Sequence, residues 1–359
     1  MAQLLSRSLI LLVLGTSVFA QVDPIQAAMD KKDYATAITL LRPLADGGDA
    51  QAQSLLAELT ASGQGTKKNI PEALALWRKA ANKNYAPAQY SLGLMYASGE
   101  GVKRDLVEGA KWIRLAADQN IPEAQRDIAQ MFYGGQGMKR DYALALDYFR
   151  RAAQKNMVEA QYAVGTMYAS GQGTKQDYGE AVTWFRKAAD AGSVEAQFNL
   201  GAMYLGGQGV EKNPTEALNW TRKAADKGHA QAIMNMGLIY INGIGVPKDK
   251  SQALGWFRKA QKNPDAMGAI RAMAEEGYAP AQVEVGLAFE NGRGVPKLVT
   301  EAVSWYREAA MQNNAAGQYN YGRMYAEGKG VPQSDTEAAA WFTKAAKQGH
   351  AQAKARLKR

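Results

Sequence analysis

From about residue 48 to residue 348 the apolar side chains recur at spacings of three and four, the signature of one buried helical face. Two kinds of block alternate. The first carries Ala, a large apolar residue, Gly and Tyr at spacings of 4, 1 and 3, as in Ala196, Leu200, Gly201 and Tyr204. The second carries Ala, Trp and an Ala-Ala pair, as in Ala217, Trp220, Ala224 and Ala225. Between them stands Gly-x-Gly, at Gly63/Gly65, Gly99/Gly101, Gly135/Gly137, Gly171/Gly173, Gly207/Gly209, Gly243/Gly245, Gly292/Gly294 and Gly328/Gly330. The step is 36 residues throughout except once, where it is 49. A fixed period of this size predicts stacked helical hairpins in which each unit touches its neighbours.

The turn chemistry agrees with that reading. The first Gly of each pair suits a left-handed helix C-cap and the second a tight reversal. A phosphate-binding loop would need a preceding strand and further Gly or a Gly-Lys-Ser/Thr, and neither is present. Asn69, Asp105, Asp141, Asp177, Asn213, Asp249 and Ser334 stand where the second helix needs an N-cap. Leu298 breaks this series, and Thr300 is the expected cap there. A mid-helix Gly costs about 1 kcal/mol relative to Ala. Its return at Gly93, Gly165, Gly201, Gly237, Gly286 and Gly322 implies close backbone contact with a neighbouring helix. Trp112, Trp184, Trp220, Trp256, Trp305 and Trp341 form one column, with Tyr148 in repeat three and Leu76 beside Trp77 in repeat one. The column reads as packing rather than as an aromatic cage for a ligand.

Repeats start near residues 48, 84, 120, 156, 192, 228, 277 and 313. Residues 21–47 form an N-terminal capping pair, with helices expected through Lys31 and over Tyr34–Asp46, the latter bent or shortened at Pro43. Residues 48–260 hold repeats one to six and 277–348 repeats seven and eight. Between them, 261–276 is an insertion: Asn263-Pro264-Asp265 stops one helix and Ala266–Glu276 forms a short extra one, wedged between repeats or altering their angle. Residues 349–359 form a basic C-terminal half unit.

This pattern resembles the Sel1-like repeat, a relative of the tetratricopeptide repeat. The resemblance rests on Ala-x-x-x-Leu-Gly-x-Met-Tyr, Gly-x-Gly-Val and Ala-x-x-Trp-x-x-x-Ala-Ala, and it covers residues 48–348. It implies an all-α, right-handed superhelical solenoid of about eight helix-turn-helix repeats. The first helices would line a concave surface that serves as a scaffold for protein partners, without enzymatic activity.

Composition narrows the picture. The net charge is +9, but the basic residues are spread evenly over the second helices and the loops after Gly-x-Gly. That is the pattern of a solvated face, so no nucleic-acid partner is expected, only a weak attraction to anionic surfaces. The chain has no Cys, which excludes disulfides, thiolate metal sites and a cysteine nucleophile. Residues 1–20 read as a secretory signal: Arg7, the apolar run Leu9–Leu14, and Val18-Phe19-Ala20 before an expected cleavage. A periplasmic or secreted product is the expectation, and no later stretch is long and apolar enough to span a membrane.

Candidate chemistry is sparse. His229 and His350 share one loop column that other repeats fill with unrelated residues, and no hydrolase, zinc-protease or calcium-loop motif occurs. No cofactor, metal or catalytic residue is assigned. The informative positions are those that vary on the first helices, three per repeat at spacings of 4 and 3. They are Tyr162, Thr166 and Ala169; Phe198, Ala202 and Leu205; Met234, Leu238 and Ile241; Val283, Leu287 and Glu290; Tyr319, Arg323 and Ala326. Repeats one and three are more polar there, with Glu58, Arg126 and Gln130. With the first helices inward, the apolar members in repeats five to seven dock a helix or an extended segment of another protein. The alternative is that part of the strip, especially its first position, packs against the preceding repeat. The partner would be an envelope assembly component or, in a second role, a toxic secreted effector such as a type VI secretion lipase neutralised by an immunity protein. A penicillin-binding activity, known from cysteine-rich relatives, is the remote alternative.

Overall fold

The computed structural model describes residues 22–260 and 263–358. The expected signal segment lies outside the described residues. Two helices come first, α1 (Val22–Asp30) and α2 (Tyr34–Asp46). Repeat one contributes α3 (Ala50–Ser62) and α4 (Ile70–Asn82), repeat two α5 (Ala86–Ser98) and α6 (Leu106–Asp118). Repeat three contributes α7 (Pro122–Gly134) and α8 (Tyr142–Gln154), repeat four α9 (Val158–Ser170) and α10 (Tyr178–Asp190). Then come α11 (Val194–Gly206) with α12 (Pro214–Asp226), and α13 (Ala230–Asn242) with α14 (Lys250–Lys259). After α15 (Pro264–Glu275) follow α16 (Ala279–Asn291), α17 (Val299–Met311), α18 (Ala315–Glu327), α19 (Asp335–Lys347) and α20 (Ala351–Arg356). Among the described residues there is no strand.

The described chain falls into two compact units that divide between Gln176 and Asp177. In unit one, the core runs from Leu41, Leu56 and Leu59 to Trp77, Leu92 and Met95. In unit two, its largest cluster gathers Phe257, Ile270, Val285, Phe289, Tyr306 and Met324. Within each unit the same local devices recur. Gly207, like its counterparts, is a left-handed C-cap whose N–H donates to Met203 O. Gly209 does more than allow a reversal: a Cβ there would collide with the backbone of Tyr178, at the start of α10. The second helices begin with side-chain caps at Asn69, Asp105, Asp141, Asp177, Asn213, Asp249 and Ser334, as expected. In repeat seven the helix already starts at Val299, so Leu298 holds the N-cap position without a side-chain bond and Thr300 does not cap.

The structure adds to the sequence reading at three points. Pro43 does not shorten α2, which runs on to Asp46. The mid-helix Gly faces a side chain as well as backbone: a Cβ on Gly286 would lie 2.6 Å from the Tyr306 ring and 3.2 Å from Ala302 O. The residue after the Trp column is therefore a deeper part of the core than the Trp itself, with Ile113, Phe257 and Tyr306 almost fully buried while Trp112 and Trp305 are only half-buried. Where that second column holds Trp77 or Phe149, the first helix has Ala57 or Ala129 instead of Gly.

The insertion forms the expected extra short helix, α15, with α14 ending before it at Lys259. Asn263 is the N-cap of α15, its side chain accepting from Asp265 N. The run Ala266-Met267-Gly268-Ala269-Ile270-Arg271 repeats the pattern of Ala253-Leu254-Gly255-Trp256-Phe257-Arg258, thirteen residues earlier. Ala266, Ile270, Met273 and Ala274 are buried accordingly. The helix α15 thus supplies a second copy of the second-helix face, onto which repeat seven packs.

Candidate protein-interaction surface

A buried Gln fastens seven of the eight repeats to the helix before it, repeat six having Ile233 in its place. Gln53, Gln89, Gln125, Gln161, Gln197, Gln282 and Gln318 donate through Nε2 to a carbonyl eight residues earlier, from Ala45 O to Ala310 O. For Gln282 the acceptor is Ala274 O on α15, at 3.2 Å, which shows the inserted helix standing in for the usual Ala-Ala end. The Oε1 atoms of Gln89, Gln282 and Gln318 accept from Gln119, Gln312 and Gln348. Those of Gln53, Gln125, Gln161 and Gln197 are buried without a partner. Sequence reading missed this column, although Ala-Gln precedes almost every first-helix motif.

With the repeats fastened, the first-helix positions separate by exposure. Those at the first variable position are packing residues. Met234 and Val283 are each 5% exposed and belong to the unit-two core, so neither is open to a partner. Phe198 stacks on His229 at 4.4 Å and Tyr319 on His350 at 4.6 Å, so these rings close against the loop that begins the next repeat, not the preceding one. Tyr162, in unit one, is half-buried. His229 and His350 are both helix N-caps, accepting Ala232 N and Ala353 N through Nδ1 at 3.1 and 3.3 Å.

The second and third positions form the accessible strip of unit two. Leu238 is 38% exposed, Leu205, Ile241 and Leu287 are half-buried, and Ala202 is open. Asn242 and Asn291 flank it, each donating to the carbonyl one turn back, Leu238 O at 2.9 Å and Leu287 O at 2.8 Å. Beyond Leu287 the strip ends in a closed polar cluster. Arg323 grips Glu290 with two bonds of 2.7 and 2.6 Å, and the Tyr306 hydroxyl donates to Glu290 at 2.7 Å. Burial works against ionising Glu290, but the Arg323 and Tyr306 hydrogen bonds outweigh it and hold the carboxyl below its usual range. Burial and then Glu290 push the Tyr306 phenol up. Arg323 is therefore committed inside the fold and is not a free partner contact.

Lys187, Lys223, Lys259 and Lys344 lie over Trp184, Trp220, Trp256 and Trp341 at 3.7 to 4.2 Å, which closes that column as packing. Among the described residues no three His, Asp or Glu side chains are placed to hold a metal ion, and no helix is long and apolar enough to cross a membrane.

These are stacked helical hairpins with a recurrent Gly-x-Gly turn, and comparison with known proteins identifies their class. The Sel1 repeat family model matches residues 50–85, 86–121, 122–157, 158–193, 194–229, 230–262, 279–314 and 315–350, and the chain belongs to that family. Among solved structures it is similar to a protective antigen of uropathogenic Escherichia coli strains that displays an SLR fold. There the identity is 35% and the TM-score 0.60, over 89% of this chain and 66% of that one. It is also similar to a Sel1 repeat protein from Oxalobacter formigenes, with 34% identity, a TM-score of 0.55 and 97% of each chain covered. No curated protein matches the chain.

Proposed function

We propose that this protein is a non-enzymatic interaction scaffold that holds a partner protein against the first helices of repeats five to seven. The carrying observation is the strip Ala202, Leu205, Leu238, Ile241 and Leu287, which leaves aliphatic side chains partly open on three successive first helices of unit two. An apolar patch of this kind on repeat helices suits the apolar face of a helix or an extended segment. The family resemblance supports the same reading, because Sel1 repeats are scaffolds for other proteins. His229 and His350 are engaged in capping and stacking, and Glu290 and Arg323 in a closed ion pair.

The partner is read as an envelope protein, met after export and cleavage behind Ala20. N-terminal sequencing of the exported protein tests the location: a chain beginning at Gln21 agrees, and a cytosolic full-length chain does not. The binding site is tested with Leu238→Glu and with Leu238→Glu/Leu287→Gln. Loss of the bound protein with unchanged helicity supports the site, and unchanged binding removes it. A single very tight partner whose enzymatic activity vanishes on binding would assign the narrower role of an immunity protein.

A further inference from the structure

The loop after each Gly-x-Gly offers two positions before the N-cap of the second helix, and the fold uses them differently. The second position is occupied in unit one. Lys68 pairs with Glu100 at 3.2 Å, Arg104 Nε donates to Ala97 O at 3.1 Å, Arg140 lies over the Tyr142 ring at 5.8 Å, and Gln176 donates to Ala169 O at 2.7 Å. These contacts finish the preceding helix and fix the loop.

The first position holds Lys67, Lys103, Lys139 and Lys175 in four consecutive repeats. All four are exposed, and none has a hydrogen bond, an ion pair or a ring beneath it. In unit two the same position holds Glu211, Pro247, Pro296 and Pro332. The turn therefore needs neither a lysine nor even an N–H there, and the four lysines of unit one serve no folding purpose. The second Gly of a loop packs on the start of the preceding repeat's second helix, Gly101 on Ile70, Gly137 on Leu106 and Gly173 on Tyr142, which sets the equivalent loops along one edge of that unit. The acids on this edge are already engaged: Glu100 faces Lys68, Asp105 accepts from Val107 N and Glu108 N, and Asp141 accepts from Leu144 N.

We propose that this lysine edge of repeats one to four binds an acidic, Asp- and Glu-rich polypeptide segment, at a place separate from the apolar strip of unit two. The chemistry of the edge selects this partner. Ammonium groups act as point charges for carboxylates on flexible side chains. The four loops, residues 63–69, 99–105, 135–141 and 171–176, contain no aromatic residue on which bases could stack. Their larger apolar side chains, Val102 and Met138, are half-buried and offer no anchor for a bilayer.

The test measures binding of fluorescent poly-L-glutamate to the full chain. One variant carries Lys67, Lys103, Lys139 and Lys175→Glu, and a charge-matched variant carries Lys212, Lys248, Lys297 and Lys329→Glu in unit two. The wild type and the unit-two variant should bind alike, whereas the unit-one variant should bind at least about tenfold more weakly, with all binding weakening as salt is raised. Lys→Gln at the four unit-one positions, which introduces no repulsion, should give the same ordering. Equal loss in both charge-matched variants, or no binding by the wild type, overturns the proposal. So does tighter binding of oligothymidylate, polygalacturonate or phosphatidylglycerol vesicles than of poly-L-glutamate.

Discussion

The ring of Phe257 occupies the space that a side chain on Gly237 would need. This is the internal joint of repeat six, and its counterparts include Gly93 with Ile113 and Gly286 with Tyr306. Gly237→Ala should gain helix propensity yet lose more through overpacking, a net loss of about 1–3 kcal/mol. Adding Phe257→Leu should return part of that loss. Urea unfolding of the single and double variants measures the coupling, and additive effects would show that the ring is not the obstacle.

The buried glutamines should not be equivalent. Gln197→Leu removes an unpartnered Oε1, and Ala189 O keeps a second donor in Gly192 N, so the cost should stay near or below about 1 kcal/mol. Gln282→Leu also strips hydrogen bonds from Gln312 and Glu308 and should cost about 2 kcal/mol. Equilibrium unfolding that ranks the two variants in the other order would contradict the assignment.

The Glu290–Arg323 pair predicts an acid dependence. The carboxyl titrates below its ordinary value of 4.5 when folded, so its stabilisation is complete above the unfolded value and is lost as pH falls through the folded one. The stability gap between the wild type and Glu290→Gln should therefore be constant from neutral pH down to about the ordinary glutamate range and close in stronger acid. A gap that stays open in strong acid would show that ionisation is not what stabilises the pair.

His350 predicts a second acid dependence, at milder pH than that of Glu290. Burial lowers its affinity for a proton, and Nδ1 must be unprotonated to accept Ala353 N. The cap is intact above the ordinary value of 6.5 and weakens as pH falls below it. Hydrogen exchange at Ala353 should accelerate, relative to the intrinsic rate, on acidification in the wild type. His350→Asn keeps a capping oxygen and should remove that dependence.

Much of the fold is legible in the sequence because each device repeats. Gly-x-Gly turns, acidic and amide caps, and the Ala-Ala ends of the second helices all announce themselves by position. The face reading failed where one column serves two neighbours. Met234 and Val283 vary in type, as a ligand surface would, yet they are buried because any apolar residue fills the seam between repeats. Arg323 reads as a free cation in sequence, and only the fold brings Glu290 to it from 33 residues away. The insertion reads as an interruption because Ala269 replaces the Trp of its parent pattern, which hides the duplicated helix.

The most direct test of a docking surface on the first helices is site-specific photo-cross-linking in cells. A photoreactive residue at Ala202, exposed one turn from Leu205 and at the position equivalent to Leu238, should give a strong adduct with one or a few proteins, and the adduct should vanish in the Leu238→Glu background. The same probe at Asn219, exposed on a second helix, should give none. Equal adducts from the two positions, or an adduct at Ala202 indifferent to Leu238→Glu, would contradict the account.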